Sequence, residues 1–330
     1  MCPTPSRPAN ECGRAIKLPE LAHELPSWVV LPSVNAIGAP HPTNSVLEFF
    51  VHRFPYVSSA TWALRFESGL VRDKAGRAVA GSQPFAPLAG QKLSYFRVVE
   101  DELEIPFHEQ IVFEDENIVV ADKPHFLPVQ PAGRYLTQTL LSRLQKRLNL
   151  PELTPAHRID QGTAGLVLLI KQPQLRGAYQ KLFREHAIVK TYQAIAPFRA
   201  DLAFPMLRQT RIVEAAHFMQ MQEVAGCANS ETELDLLERS PKTPGIWARY
   251  QLKPRTGKRH QLRVQMSALG IPIQNDPIYP ELLAQPDELD FTRPLKLLAQ
   301  GLAFVDPVSG DAQRFASGLT LDFDEYADNS

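Results

Sequence analysis

The chain has 330 residues, of which 44% are apolar and 22% charged, values typical of a soluble globular protein with about two domains. Its net charge of −1 argues against a uniformly basic surface for binding nucleic acid. The three cysteines form no C-x-x-C pair, which argues against a disulfide framework and a cysteine-based zinc site. No apolar run reaches the ~18 residues of a membrane span and the N-terminus lacks a signal-peptide core, so we expect a cytoplasmic protein.

The charge is unevenly distributed along the sequence. Residues 100–122 carry nine acids and no Lys or Arg, whereas residues 249–263 carry six bases and no acid. A protein with this distribution can bind phosphates with one face while its total charge stays near zero.

The first 43 residues are rich in Pro and Asn and lack sustained periodicity, so residues 1–43 are expected to form an extended N-terminal arm. In residues 44–99 we predict a helix from Val46 capped by Asn44 or Ser45, and a second helix from Ser59 to Phe66. A short strand at Leu70-Val71 and a turn follow.

Residues 44–99 hold seven bases against three acids. Their order of helix, serine-initiated helix, glycine, short strand and turn resembles the S4-like RNA-binding module. The resemblance implies RNA contacts from Arg53 and Arg65. The alternative is a small accessory α+β domain whose charged face is simply solvated.

After an acidic linker at 100–109, residues 110–325 mix strands with a few helices. Amphipathic helices are predicted at 135–148 and 174–186. The pattern weakens between 200 and 245, where we expect loop insertions. The predicted strands are 118–121, 165–170 (buried on both faces), 191–196, 230–237, 247–252 and 297–305.

Several common catalytic motifs are absent. The sequence has no P-loop, no G-x-G-x-x-G and no G-x-S-x-G, and its nine histidines show no metal-ligand spacing. We therefore expect no metal, no cofactor and no serine nucleophile.

The segment from Ala156 to Gly165, AHRIDQGTAG, runs directly into a buried strand. Asp160 in this turn is either a fixed nucleophile or base, or a residue that merely caps the turn together with Thr163. The basic segment 253–265, KPRTGKRHQLRVQ, predicts a turn and then a helix. Its bases either meet phosphates or form a solvated face.

Four ordered motifs strongly resemble the RluA-type family of RNA pseudouridine synthases. They are H-R-I-D-x-x-T-x-G-L at 157–166, K-T-Y at 190–192, T-G-K-R-H-Q-L-R-V at 256–264 and G-x-P-I-x-x-D-x-x-Y at 270–279. The resemblance covers about 110–320. It implies an α+β fold, in which a mixed, mainly antiparallel sheet with flanking helices surrounds a central RNA cleft and follows a small S4-like domain.

The resemblance also implies roles for individual residues. Asp160 would be the catalytic carboxylate, which attacks C1′, attacks C6 or deprotonates C2′; these alternatives stay open. Arg263 would pair with Asp160 and keep it ionised. Tyr192 would stack on the uracil, although a strand residue in the core is the alternative. Arg158 would fill the space of a flipped nucleotide. The expected phosphate contacts are Lys190, Arg255, Lys258 and Arg259.

Four departures from the family pattern put substrate detail in question: Ala164, the Lys258-Arg259 pair, Gln265 and Asn275. We expect a monomer that acts on large-subunit ribosomal RNA, with tRNA as the alternative. A second hypothesis is a catalytically idle RNA-binding or ribosome-assembly protein on the same fold. A third, a hydrolase, needs a second carboxylate near Asp160, for which Asp276 is the candidate.

Overall fold

The computed structural model describes residues 26–32, 44–54, 57–96, 102–133, 135–217, 219–241, 246–283 and 289–323. The chain divides into two units, Met1–Glu100 and Asp101–Ser330. The division falls at the start of the acidic stretch predicted to link two domains. No helix in the described ranges is both long enough and apolar enough to cross a membrane.

The N-terminal unit combines a three-stranded antiparallel sheet with two helices. Its strands are β1 (Ser27–Val30), β2 (Val71–Arg72) and β3 (Lys92–Tyr95), in the order β1-β3-β2. Its helices are α1 (Val46–Arg53) and α2 (Ser59–Glu67). The predicted serine caps are confirmed, because the side chains of Ser45 and Ser58 accept the N–H groups of Glu48 and Thr61.

Strand β1 requires a correction to the predicted N-terminal arm. Its residues pair with β3, from Ser27 opposite Tyr95 to Val30 opposite Lys92. Four residues are too few to show a periodicity in the sequence, yet Val29 joins the core of this unit. These residues therefore belong to the sheet. Residues 1–25 and 33–43 of the predicted arm lie outside the described residues.

The C-terminal unit is built on one large sheet. Its main path runs β10-β9-β11-β12-β8-β13-β7-β5-β4, with β14 beside β13 and β6 beside β7. Only β7 and β13 are parallel among the strand pairs of the described residues. The strands are β4 (Gln110–Glu114), β5 (Ile118–Lys123), β6 (Thr154–Pro155), β7 (Ala164–Ile170), β8 (Val189–Pro197), β9 (Met206–Glu214), β10 (Met221–Val224), β11 (Ser230–Arg239), β12 (Trp247–Pro254), β13 (Leu297–Val305) and β14 (Ala312–Ala316).

Strand β7 is the centre of the core, and all seven of its residues are buried as predicted. Gly165 lies where β7 meets β13. It adopts φ +109°, and a Cβ there would lie 2.3 Å from the Ala299 carbonyl oxygen. Only glycine allows this close approach, so Gly165 in the first motif is needed for β7 and β13 to pack side by side.

Three helices flank the sheet: α3 (Leu140–Leu148), α4 (Arg176–Arg184) and α5 (Gln261–Ala268). The first was predicted to begin at residue 135, and this start is wrong. The Glu102 carboxylate binds the N–H groups of residues 136–138 at 2.6–2.9 Å, and Thr139 caps the helix. These amides are therefore satisfied in a non-helical conformation.

The acidic linker is attached to the C-terminal unit along its described part, residues 102–109. Ile105 is buried, and Arg143 of α3 donates to the carbonyls of Ile105 and Phe107, each at 2.6 Å. Loop insertions were predicted between residues 200 and 245, but the structure has strands β9 and β10 there, and they extend the sheet. The residues of β9 alternate in exposure, but its polar and charged residues hide that alternation in the sequence.

Candidate active site

Asp160 lies in the turn between β6 and β7, and the side chains of Lys123 and His125 hold the backbone of this turn. Lys123 Nζ donates to the Gln161 carbonyl at 3.1 Å, and His125 Nδ1 lies 2.7 Å from the Gly162 carbonyl oxygen. The backbone that carries Asp160 is therefore fixed on a rigid strand end, as a catalytic side chain requires.

The Asp160 carboxylate contacts a residue that is distant in sequence. Its Oδ2 accepts Arg263 Nη1 at 3.0 Å, across a separation of 103 residues. Its side chain is 32% exposed, and its Oδ1 accepts no hydrogen bond from any residue within the described ranges. The alternative in which this carboxylate only caps its own turn is therefore not supported. One oxygen is held and the other is available.

Arg263 is fixed from the opposite side by Asp276. Its Nε and Nη2 donate to Asp276 Oδ2 and Oδ1 at 2.8 and 2.6 Å. Burial opposes the charge of Arg263, but the hydrogen bonds and charge of Asp276, together with Asp160, outweigh burial and raise its pKa above the usual range. Asp276 is fully buried and engaged by this arginine, so it does not supply the exposed second carboxylate that a hydrolase needs.

Lys123 is a second basic residue next to the turn that carries Asp160. It is fully buried, and its ammonium donates to the carbonyls of Pro124, Leu127 and Gln161 at 3.0, 2.6 and 3.1 Å. Burial lowers the pKa of Lys123 to about 7, and the Asp160 charge opposes this shift. The three carbonyl oxygens match the three hydrogens of a protonated Lys123 ammonium group.

Tyr192 lies on β8 and has contacts on two sides. It packs against the hydrophobic core and also lines the cavity that contains Asp160. Burial, with a smaller effect of the Asp160 charge, raises the pKa of the Tyr192 hydroxyl above its usual range. The hydroxyl therefore stays protonated at neutral pH, and its ring is available to a base in the cavity.

The cavity has a volume of about 580 Å³ and brings together most of the predicted site. Asp160, Tyr192 and Arg263 line it, together with the predicted RNA contacts Arg158, Lys190 and Lys258. Burial lowers the pKa of Lys190 to about 8, and its Nζ donates to the Thr256 carbonyl at 2.9 Å. Arg255 and Arg259 are exposed but do not line the cavity, and Arg255 pairs with Glu231 at 2.9 Å.

The two predicted RNA contacts of the N-terminal unit, Arg53 and Arg65, differ in their exposure. Arg53 is exposed at the end of α1. Arg65 is only 9% exposed, and its guanidinium carbon lies 4.7 Å from the Trp62 ring centroid. The sequence pattern did not show that Arg65 packs on an aromatic ring, and its predicted contact with RNA stays a prediction.

Other residues of the site were missed as candidates. His260 and Tyr279 both lie within the quoted motifs, so their motif positions were the available signal. His260 Nδ1 lies 3.0 Å from the Tyr279 hydroxyl, and His260 Nε2 lies 3.9 Å from Asp160 Oδ2. Arg184 and His186 also line the cavity, but no motif marks them.

Two departures from the family pattern have structural explanations. Gln265 is buried, accepts the Thr232 hydroxyl at 2.6 Å and does not line the cavity. Asn275 adopts φ +61°, which asparagine tolerates better than most residues, and donates to the Pro294 carbonyl. Ala164 is buried in β7. Of the four departures, the Lys258-Arg259 pair is the exposed one, and Lys258 lines the cavity.

Comparisons with known proteins identify the family of the chain. Residues 117–268 match the family model described as RNA pseudouridylate synthase. A Vibrio vulnificus protein named dual-specificity RNA pseudouridine synthase RluA is 33% identical over 205 residues, which cover 61% of this chain and 79% of the relative. The chain therefore belongs to the RluA-type family of RNA pseudouridine synthases, as the motifs predicted, and it is an isomerase.

Other relatives differ in how much of their length is matched. An uncharacterised RNA pseudouridine synthase from Synechocystis is 29% identical over 71% of this chain and 79% of its own length. The yeast mitochondrial tRNA pseudouridine(32) synthase is 31% identical, but the match covers only 37% of it. The solved structure of human RNA pseudouridylate synthase domain containing 1 has a TM-score of 0.52 and 24% identity, covering 65% of this chain and 86% of that one. This likeness confirms the predicted fold class.

Proposed function

We propose that Asp160 is the catalytic carboxylate that isomerises uridine to pseudouridine. The observation that carries this proposal is the asymmetry of its two oxygens. Arg263 holds Oδ2, whereas Oδ1 accepts no hydrogen bond from the described residues, in a cavity of a size usual for small-molecule sites. A positioned carboxylate with one free oxygen suits a nucleophile or a base.

The reaction rearranges the atoms of one nucleotide. The N1–C1′ bond breaks, the uracil rotates, and a C5–C1′ bond forms. The hydrogen on C5 leaves as a proton to solvent and N1 takes up a proton, so the composition of the nucleotide is unchanged and no redox step is needed. Asp160 attacks C1′, attacks C6 or deprotonates C2′; all three roles require a carboxylate, and Arg263 places a guanidinium 3.0 Å from its Oδ2.

The other cavity residues would bind the flipped nucleotide. Flipping costs a few kcal/mol, and phosphate contacts from Lys190 and Lys258 would offset part of that cost, while Arg158 would fill the space of the flipped nucleotide. Tyr192 would stack on the uracil with its hydroxyl protonated. Asp160 would then face the sugar and base from the fixed turn.

We propose large-subunit ribosomal RNA as the substrate class. A separate basic N-terminal unit with an exposed Arg53 suits a large folded RNA, in keeping with an S4-like RNA-binding role. The second candidate is tRNA, because two yeast relatives are named tRNA pseudouridine synthases. The monomeric state stays a prediction, and so does the cytoplasmic location, because one of these relatives is named as mitochondrial.

The test is to map pseudouridine after incubating the full chain with unmodified transcripts of large-subunit ribosomal RNA and tRNA. Wild type and Asp160→Asn are compared in parallel. We expect pseudouridine at a defined uridine of the ribosomal transcript with wild type alone. Product in tRNA alone would replace the first substrate with the second. Equal product from both proteins would refute the role of Asp160, and RNA binding without any product would favour the idle-binder hypothesis.

A further inference from the structure

His260 and Tyr279 form a chain of contacts that ends at the catalytic carboxylate. The Met221 N–H of β10 donates to the Tyr279 hydroxyl oxygen at 2.7 Å, and this oxygen lies 3.0 Å from His260 Nδ1. The other ring nitrogen, His260 Nε2, lies 3.9 Å from Asp160 Oδ2. This is the same oxygen that accepts the hydrogen bond from Arg263.

The positions of the hydrogens follow from the donors and acceptors. Tyr279 is 6% exposed, and its hydroxyl has two polar partners in the part of the chain described, Met221 N–H and His260 Nδ1. The amide is always a donor, so the tyrosine oxygen accepts there. Its own hydrogen is then satisfied only if His260 Nδ1 accepts it. A neutral imidazole carries one hydrogen, which must therefore be on Nε2 and face Asp160.

The protonated imidazole does not fit this arrangement. It would donate from Nδ1 and leave the buried tyrosine hydrogen without an acceptor. Burial lowers the pKa of His260 to about 4, and the charges of Arg263 and Arg259 act in the same direction against the opposing effect of Asp160. The neutral ring is therefore the form present at pH 7.

One short turn controls both groups that face Asp160 Oδ2. Asp276 holds the guanidinium of Arg263, and the N–H groups of Ile278 and Tyr279 donate to Asp276 Oδ1 at 2.9 and 3.2 Å. Tyr279, three residues after Asp276, holds His260. The turn 276–279 thus fixes the arginine and the histidine with respect to each other.

We propose that Tyr279 is a positioning residue that selects the Nε2–H tautomer of His260, and that this N–H directs Asp160 Oδ2 together with Arg263. The inference rests on the proposed role of Asp160. At 3.9 Å the N–H lies beyond hydrogen-bond length and acts through its dipole in the free protein. Catalytic hydrogen bonds often shorten only when substrate is bound. A ring with the opposite tautomer would present a lone pair to the carboxylate and repel it.

The first test reads the tautomer directly, without any need for activity. Long-range proton–nitrogen NMR spectra of the full chain with labelled histidine report which ring nitrogen carries the hydrogen. His260→Gln identifies the His260 signal by its loss. We expect the Nε2–H form in wild type at pH 7 and a mixture of tautomers in Tyr279→Phe. An Nδ1–H form or an imidazolium in wild type would overturn the proposal.

The second test measures single-turnover pseudouridine formation and RNA affinity. Tyr279→Phe is expected to lower the rate by roughly 10- to 100-fold with unchanged affinity, as for a misplaced catalytic group. His260→Gln, whose amide nitrogen reaches the position of Nε2, should keep most of the rate. His260→Asn, whose amide reaches only the Nδ1 position, should lose as much as Tyr279→Phe.

Tyr179→Phe is the matched control. It also removes a buried tyrosine hydroxyl, which donates to Asp306 at 2.7 Å and lies outside the cavity lining. Neither the His260 tautomer nor the rate should change in this variant. A loss of rate in Tyr279→Phe with the tautomer unchanged would refute the inference. Wild type with the expected tautomer but no activity on any RNA would refute the proposed function instead.

Discussion

Replacing Asp276 by asparagine tests how Arg263 is held in place without changing the Asp160 carboxylate itself. The Asp276 carboxylate accepts two of the three hydrogen bonds that Arg263 makes to carboxylates, and Asp160 accepts the third. Asparagine retains an oxygen for the donors at Oδ1. Its amide group, however, would meet the Arg263 Nε–H at the position of Oδ2, with one donor against another.

The expected loss can be estimated from the burial of this pair. The side chains of Arg263 and Asp276 are 5% and 0% exposed, and removing one charge of a buried pair costs about 3–5 kcal/mol. We expect Asp276→Asn to lower the free energy of unfolding by about 3 kcal/mol, since part of the hydrogen bonding remains. The released guanidinium should also lower the single-turnover rate by about 10- to 100-fold.

The measurements are denaturant unfolding and single-turnover kinetics on the same preparations. Asp306→Asn is the matched control, because Asp306 is also buried and accepts two backbone N–H groups, but it pairs with Tyr179 instead of an arginine. This control should lose stability with little loss of rate. Wild-type stability and rate in Asp276→Asn, or an equal loss of rate in Asp306→Asn, would refute the reasoning.

Three further predictions concern the surroundings of the site. Lys123→Met should remove a pH dependence of the unfolding free energy. The pKa of Lys123 is about 7 in the folded protein and 10.5 in the unfolded chain, so the unfolded state binds more protons between these two pH values. The unfolding free energy of wild type relative to this variant should therefore rise from pH 7 to 10, by at most about 1.4 kcal/mol per pH unit in urea titrations. Arg184→Gln should reduce the slope of log affinity for RNA against log salt by about 1 if Arg184 at the cavity contacts a phosphate, whereas Lys181→Gln on the same helix should not. Gly165→Ala should lower the melting temperature sharply because its Cβ would clash with backbone, whereas Gly177→Ala, with open space around it, should stabilise α4 by up to about 1 kcal/mol.

Each of these predictions has a contrary outcome. An identical pH dependence in wild type and Lys123→Met would show that Lys123 has an ordinary affinity for protons. Equal salt slopes for the Arg184 and Lys181 variants would remove Arg184 from the RNA contacts. A Gly165→Ala protein as stable as wild type would mean that β13 can move away without cost.

The sequence motifs predicted much of the site because the chemistry restricts which residues occupy it. Asp160 and Arg263 are 103 residues apart, and their pairing followed only from the family resemblance, since nothing local in the sequence joins them. The hydrophobic pattern located β7 because burial on both faces leaves a continuous apolar run.

The remaining features depend on tertiary contacts that the sequence pattern does not contain. Helix α3 begins at Leu140 because the distant Glu102 carboxylate takes the preceding N–H groups. Arg65 looks like a surface base but packs on Trp62. His260 was quoted in a motif, but its orientation depends on Tyr279, which lies in a different motif. These contacts join residues that only the tertiary structure brings together, so a local sequence pattern does not predict them.

The central claim is that the Asp160 carboxylate performs the isomerisation. Loss of hydrogen from C5 can be followed as tritium release from RNA that carries 5-tritiated uridine, under single-turnover conditions with RNA affinity measured in parallel. We predict release with wild type and a rate at least about 100-fold lower with Asp160→Asn, at similar affinity and stability. Release from Asp160→Asn at the wild-type rate would contradict the claim and leave Asp160 with a structural role.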